Sequence, residues 1–328
     1  MTGSTTAIRF SEFGGPEVLR LEEIPLPPPG KGEIQIRQQA IGVNFIDIYH
    51  RKGVFAAPLP LPAIPGLEGV GEVIAIGPEV SGFTPGQRVA YLGGPPGGYA
   101  VARNIPAARA LLVPVGLDST LVAASLFKGL TAEYLTHRCV GLQPGDTVLW
   151  HAAAGGVGSF ACQWLQTLGV RVIGVVGSAA KAEIARAQGC TEVIVTPADI
   201  PGEVRRITGG EGVAAVFDSV GADTFSASLD CLRPRGTLVS FGESSGPVPP
   251  VSLALLGAKG SLYLTRPSIA HYTADRAEYE TAAARLFGAL QEGVIRVAPP
   301  ATWALAEVAQ AHAGLEGRKT AGSLVLIP

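Results

Sequence analysis

The chain has 328 residues, a length that suggests two domains at about 150 residues each. Hydrophobic residues make up 47% and charged residues 16%, which excludes a disordered chain and leaves room for few long solvated helices. Its 25 basic and 27 acidic residues leave a formal net charge of −2, so nothing builds the positive field of a nucleic-acid or anionic-membrane binder.

In chain order, the first 120 residues carry short alternating runs joined by turns. Ile8–Phe10, Leu19–Glu22, Glu33–Arg37 and Val70–Gly77 read as half-buried strands, and Pro85–Ala90 as a turn leading into another. Pro25–Pro29 and Pro58–Pro65 read as extended connectors, and the whole as a β-barrel-like domain. Near Asp118 the period changes. Asp118 or Ser119 can cap a helix through Leu121, Val122, Ala124, Leu126 and Phe127, and a second helix, Leu130–Cys139, follows Lys128-Gly129. Strands then alternate with helices. The strands are Thr147–His151, Arg171–Val176, Glu192–Val195, Val213–Phe217, Thr237–Phe241 and Leu262–Leu264, with helices at Gly158–Leu168 and Lys181–Gln188. That alternation predicts an α/β chain with a doubly wound parallel sheet joined by right-handed crossovers. The tail adds a helix at Arg276–Gln291 and a strand at Leu324–Ile327.

The 43 glycines and 26 prolines follow no Gly-X-Y period, which excludes collagen and indicates many tight turns. The first ten residues lack the apolar core of a signal peptide, and no window approaches 18 uninterrupted apolar residues. Cys139, Cys162, Cys190 and Cys231 are scattered without a C-x-x-C pair and read as reduced thiols. A cytoplasmic protein is expected.

The sharpest motif is Trp150-His151-Ala152-Ala153-Ala154-Gly155-Gly156-Val157-Gly158, which follows a strand and opens a helix. Gly155 lets the backbone approach a pyrophosphate, Gly158 lets the helix pack on the strand, and N–H groups at the helix start hold phosphate. The first glycine of the usual G-x-G-x-x-G pattern is Ala153 here. After the next strand, where an NAD site places a carboxylate, the chain reads Gly177-Ser178-Ala179-Ala180-Lys181. Ser178 and Lys181 suit a 2′-phosphate. One such charge-assisted contact contributes about 1.5–3 kcal/mol, roughly 10- to 150-fold in affinity. NADPH is therefore favoured over NADH. The five histidines show no metal-ligand spacing, and no G-x-S-x-G elbow appears.

Six ordered motifs then carry a resemblance. They are Gly42-Val43-Asn44-Phe45-Ile46-Asp47, Pro65-Gly66-Leu67-Glu68-Gly69-Val70-Gly71, Lys128-Gly129-Leu130-Thr131, Ala152–Gly158, Asp218-Ser219-Val220-Gly221 and Phe241-Gly242-Glu243-Ser244-Ser245-Gly246. Over essentially its whole length the chain resembles the zinc-free quinone oxidoreductases of the medium-chain dehydrogenase/reductase superfamily, relatives of zeta-crystallin. The resemblance implies a GroES-like catalytic domain from residues 1–125 and 267–328, a Rossmann NADP-binding domain from 126–266, and a homodimer. The superfamily's alcohol dehydrogenases carry a cysteine and a histidine as zinc ligands where this chain has Asn44 and Leu67, so no metal is expected.

The resemblance also implies the site. Nicotinamide and ribose contacts fall on Asn44, Thr131, Leu264, Thr265 and Arg266, and pyrophosphate contacts on Gly155, Gly156, Val157 and Gly158. Ser219, Phe241, Gly242 and Ser244 add further cofactor contacts, and the 2′-phosphate falls to Ser178, Lys181 and Arg318. Thr196 stands where bacterial relatives often carry a phosphate-binding tyrosine, and Phe55 replaces an aromatic that usually bears a hydroxyl. Asn44 and Tyr49 are the expected catalytic pair, orienting a quinone that takes a hydride from NADPH. Two other readings remain open: an NADPH-dependent reductase of conjugated enones or enoyl thioesters, and a non-catalytic NADPH- or RNA-binding protein.

Overall fold

The computed structural model describes residues 3–55, 57–317 and 322–328. Its main elements, in order, are β1 (Gly3–Arg9), β2 (Arg20–Leu26), β3 (Glu33–Val43), α1 (Phe45–Lys52), β4 (Glu68–Ile76), β5 (Arg88–Leu92), β6 (Ala102–Pro106), β7 (Ala110–Leu112) and α2 (Ser119–Tyr134). They continue with β8 (Thr147–His151), α3 (Gly156–Thr167), β9 (Arg171–Val176), α4 (Ala179–Ala187), β10 (Glu192–Val195), β11 (Val213–Asp218), β12 (Leu232–Ser240), β13 (Tyr263–Thr265), β14 (Ala301–Ala304) and β15 (Leu324–Ile327). Two units result. The first takes the chain up to Lys128, Ala283–Glu292 and Val297 onward; the second takes Gly129–Ala282 and Gly293–Arg296.

In the first unit the main sheet has the order β14-β15-β3-β4-β5-β7, with β6 also on β3 and β1-β2 forming a separate antiparallel pair. β3 is the hub, pairing with β4, β6 and β15. Its alternation explains why. Ile34 and Ile36 are wholly buried with Val73, Val89, Tyr91 and Ile105, while Glu33 and Gln35 face the less buried side. Beyond Arg37, where the sequence reading stopped it, β3 continues to Val43 because Ile41 and Val43 enter a second core with Tyr99, Leu324 and Leu326.

The second unit is a six-stranded parallel sheet of order β10-β9-β8-β11-β12-β13. This is the doubly wound Rossmann order, which reverses between β8 and β11. The inner strands are covered on both faces and therefore read as continuous apolar runs.

The structure corrects the sequence reading at three places. Lys128-Gly129 does not separate two helices: α2 runs through it and closes in a π-helical turn, Leu135–Cys139, because residues 128–136 are buried on every face of the helix. The helix α1 was not foreseen. Residues 126–128, expected with the Rossmann part, belong to the first unit, and residues 267–282 and 293–296, expected with the GroES-like part, belong to the second. There the Tyr272 ring stacks on Tyr134 at 4.3 Å, and Arg138 donates to the Tyr272 carbonyl at 3.1 Å and pairs with Glu278 at 3.0 Å.

The Trp150 side chain on β8 is wholly buried and stacked on Phe217, ring centroids 4.5 Å apart. Trp150→Ala should cost about 3–5 kcal/mol of stability, read as a lower denaturant midpoint at unchanged slope. A loss under about 1 kcal/mol would contradict this account of the core.

Candidate functional site

At the carboxyl end of β8 the backbone turns sharply, with Ala152 at φ 52° and Gly155 capping α3. The first backbone hydrogen bond into α3 runs from Ser159 N–H to the Gly155 carbonyl at 2.9 Å. The N–H groups of Gly156, Val157 and Gly158 therefore have no intrahelical acceptor and sit at the positive end of the helix dipole, a ready site for an anion. A methyl group on Gly158 would lie 2.5 Å from the Ala153 carbonyl oxygen and 2.7 Å from that of Ala152, so helix and strand meet only because it is glycine. Ala153, in place of the motif's first glycine, is accommodated from the neighbouring strand. A Cβ on Gly174 of β9 would lie 2.9 Å from the Ala153 methyl. This cradle fits a dinucleotide pyrophosphate.

After β9, Ser178 caps α4, its hydroxyl accepting the Lys181 N–H at 3.3 Å. The Lys181 ammonium has no ion pair among the described residues. The nearest following carboxylate in sequence, Glu183, pairs with Arg186 at 2.6 Å. Thr196 spends its hydroxyl on the Val176 carbonyl at 3.3 Å.

β11 ends in Asp218, a buried knot that orders the other side of this edge. Its carboxylate accepts N–H groups of Val220 at 2.8 Å and Gly221 at 3.2 Å, and hydroxyls of Thr224 at 2.7 Å and Ser228 at 2.8 Å. Ser228 spends its proton on Asp218, so it accepts one from His151 Nε2 at 3.0 Å. Burial holds the His151 pKa below the ordinary value. The segment after β12 lies on this turn. Phe241 N–H donates to the Asp218 carbonyl at 2.8 Å and Ser244 N–H to the Ser219 carbonyl at 3.2 Å, and a Cβ on Gly242 would lie 2.7 Å from the Ser219 oxygen. Ser219, Phe241, Gly242 and Ser244 are thus brought together. Leu264 and Thr265 sit on the edge strand β13, and Arg266 donates to the Ser240 carbonyl at 3.1 Å and pairs with Glu243 at 3.4 Å. Thr131 is buried in α2. Arg318 lies outside the described residues.

In the first unit Asn44 ends β3 and is the N-cap of α1. Only half of a capping box forms. The Asn44 N–H donates to Asp47 Oδ2 at 2.9 Å, but its side chain goes elsewhere: Nδ2 donates to Glu68 Oε1 at 2.6 Å, and Lys128 Nζ donates to Oδ1 at 3.1 Å. Glu68 Oε2 also accepts the Phe127 N–H at 2.8 Å, and Lys128 reaches the Val43 carbonyl at 3.3 Å. Burial pushes the Glu68 carboxyl up and the Lys128 ammonium down from their usual ranges.

A second chain of bonds supports the same cap. Arg51 Nη1 donates to His312 Nδ1 at 3.1 Å, so neutral His312 carries its proton on Nε2 and donates to the Tyr99 oxygen at 3.0 Å. Tyr99 in turn donates to Asp47 Oδ2 at 2.9 Å. Burial, then Arg51, pushes the His312 pKa down to about 3, which keeps it neutral. Tyr49, also on α1, meets Phe55 edge-on at 6.1 Å and Phe45 at 6.5 Å; both phenyl rings are 38% exposed.

Sequence reasoning missed Asp47, Glu68 and Lys128. The available signals were the Asn44-x-x-Asp47 spacing of a capping box and two charges set in otherwise apolar runs. Among the described residues no group of three His, Cys, Asp or Glu side chains stands close enough to hold a metal.

Comparison with known proteins places these features in a wider set. Residues 30–138 match the family model described as alcohol dehydrogenase GroES-like domain, and residues 156–288 the one described as zinc-binding dehydrogenase. The chain is 46% identical to a quinone oxidoreductase of Pseudomonas aeruginosa, covering 98% of this chain and 99% of that one. It is 43% identical to the 2-haloacrylate reductase of a Burkholderia species over 96% of each. The structure of Escherichia coli quinone oxidoreductase complexed with NADPH matches with a TM-score of 0.96 at 44% identity, covering 98% of this chain and 100% of that one.

Two outcomes follow from this geometry. Gly158→Ala should abolish dinucleotide binding or destabilise the fold by about 2 kcal/mol or more, read by titration calorimetry and thermal unfolding; near-native values in both would refute the contact. Asp47 gives a pH signature. Burial, outweighing its bonds from Asn44 and Tyr99, raises its pKa from 3.8 to about 7. Below the unfolded value both states hold the proton. As pH rises from about 4 to about 7 the unfolded chain releases a proton that the folded one keeps, so stability falls across that window. Asp47→Asn lacks this titration, and its stability relative to the parent should improve between those two pH values; a constant difference would contradict it.

Proposed function

The chain belongs to the quinone oxidoreductase family, and from that premise we propose that it is an NADPH-dependent reductase of quinones. The observation that carries the cofactor choice is the edge of the second unit. Three acceptorless N–H groups open α3, and the next strand leads to Ser178 and Lys181 rather than to a carboxylate. When bound, NADPH supplies the hydride that reduces the acceptor.

The chain's own residues bind and orient. Gly155, Gly156, Val157 and Gly158 take the pyrophosphate, and Ser178 and Lys181 take the 2′-phosphate. Thr131, Ser219, Phe241, Gly242, Ser244, Leu264, Thr265 and Arg266 line the rest of the dinucleotide. Asn44 donates an N–H toward an acceptor carbonyl, where negative charge grows as the ring is reduced. Tyr49 offers its hydroxyl beside the exposed rings of Phe45 and Phe55, which present an apolar aromatic face to a planar substrate. Water supplies the proton that completes the hydroquinone, so no strong general acid is needed.

A second reading has one specific support, the likeness to 2-haloacrylate reductase, which favours activated carbon–carbon double bonds as further acceptors. The assembly we propose is a homodimer in the cytoplasm. Tyr263 and Leu264 on the edge strand β13 are 62% and 37% exposed, an apolar edge suited to a second copy across a twofold axis. No helix among the described residues is long and apolar enough to cross a membrane.

The test is loss of reduced-nicotinamide absorbance with a panel of quinones and conjugated enones, using NADPH and NADH in parallel. Turnover of quinones with NADPH well ahead of NADH is expected; turnover of enones alone would move the assignment to the second reading. Lys181→Ala should raise KM for NADPH about tenfold and leave that for NADH nearly unchanged. Equal losses with both cofactors would remove the 2′-phosphate from this residue.

A further inference from the structure

The Asn44 amide is held at both ends by buried charges that come from distant parts of the first unit. Its Nδ2 donates to Glu68 on β4, and its Oδ1 accepts from Lys128 on α2. Glu68 and Lys128 make no direct ion pair among the described residues, and the amide lies between them. An asparagine amide ordinarily turns over at little cost, exchanging its oxygen and nitrogen. Here a flip would set the carbonyl oxygen against a carboxylate and the NH₂ group against an ammonium, both at hydrogen-bond distance. Of the two Nδ2 protons, one goes to Glu68 and the other has no acceptor among the described residues.

We propose that Glu68 and Lys128 are positioning residues that lock the Asn44 amide in one orientation, so that the only group it offers an acceptor is the spare N–H. The inference rests on the assignment of Asn44 to the acceptor. It adds a selection rule: the recognised atom must carry an accepting lone pair, as a quinone or enone carbonyl oxygen does, and a group that presents only an N–H donor at that place is refused. The opposite charges also require each other, because a lone carboxylate or ammonium at either site would be buried without its counterpart.

Two readouts test this, one without turnover. The chain's two asparagines are Asn44 and Asn104. Protein labelled with ¹⁵N-asparagine therefore gives two side-chain NH₂ pairs, and Asn44→Ala assigns them. Slow rotation about the amide C–N bond separates the two protons of every such pair, so the readout is the size of that separation: in cofactor-free protein the Asn44 pair should be split more widely than in a free asparagine, with one proton shifted downfield by the carboxylate and protected from exchange. The charge-neutral Glu68→Gln/Lys128→Met variant should narrow that separation to the ordinary value and lose the protection. In turnover, Asn44→Ala should lower kcat/KM for the quinone roughly ten- to hundredfold, and the neutral double variant should fall in the same range. Added to Asn44→Ala, the double variant should lower kcat/KM no further, although its unfolding temperature still drops. Lys128→Arg, which keeps the charge and moves the donor atoms, should repeat the pattern if the double variant folds poorly.

Additive losses on the Asn44→Ala background would overturn the positioning role while leaving Asn44 in the site. Unchanged kcat/KM in Asn44→Ala itself would overturn the assignment of Asn44, and with it this inference. An Asn44 NH₂ pair in the parent protein with only the ordinary separation and no protection from exchange would overturn the lock directly.

Discussion

The start of α3 packs so closely on the end of β8 that no side chain fits between them: at Gly158 the carbonyl oxygens of Ala152 and Ala153 occupy the space a Cβ would need. The cofactor edge depends on that contact. It sets the start of α3 over the end of β8, which leaves three N–H groups without helical acceptors at the point where the sheet order reverses. The departure at Ala153 is tolerated because the neighbouring strand supplies the missing space at Gly174. The fingerprint thus distributes its small residues over two strands, and a one-dimensional pattern counts only one of them.

Two buried polar clusters order the rest, and they solve the same problem differently. Asp218 is satisfied by neutral donors, two backbone N–H groups and two hydroxyls, and its effect is to fold the turn on which Phe241–Ser244 rests. The cluster at Asn44 instead buries charges of both signs. Burying ions is costly, and a well-packed apolar substitute is often as stable. Charges are the better solution only where orientation matters, since an amide between an anion and a cation has one stable rotamer and an amide among alkyl groups has two. The Arg51–His312–Tyr99–Asp47 chain supplies the matching restraint on the backbone, holding the N-cap from which that side chain departs.

The parts that sequence reading recovered share a physical reason. Thr147–His151 and Arg171–Val176 fall at their expected bounds because strands covered on both faces read as apolar runs closed by turn residues, and the short edge strand Glu192–Val195 also falls at its expected bounds. The helix Arg276–Gln291 was equally clear. α1 was missed because part of its buried face is polar: Asp47 and Arg51 are wholly buried in the hydrogen-bond chain, so hydrophobic period carries little signal there. For the same reason Lys128, buried against Asn44 and Val43, looked like a break between helices. The glycine turn that opens α3 is local in sequence and was legible as a strand-to-helix turn. Glu68 and Lys128 lie 24 and 84 residues from Asn44, and their meaning exists only where the fold brings them together.

The charge balance of that cluster suits the chemistry assigned to it. Asn44 stands where the resemblance places a metal-binding thiolate in the zinc enzymes, and an amide brings no charge of its own. One carboxylate and one ammonium flank it, so the opposing charges largely cancel while their dipole persists along the amide. A metal site requires the reverse, an excess of anionic donors around a cation. An uncharged quinone is served by a neutral donor whose direction is fixed in advance. Stabilisation then arrives only as the carbonyl oxygen gains electron density, so it favours the transition state over the ground state.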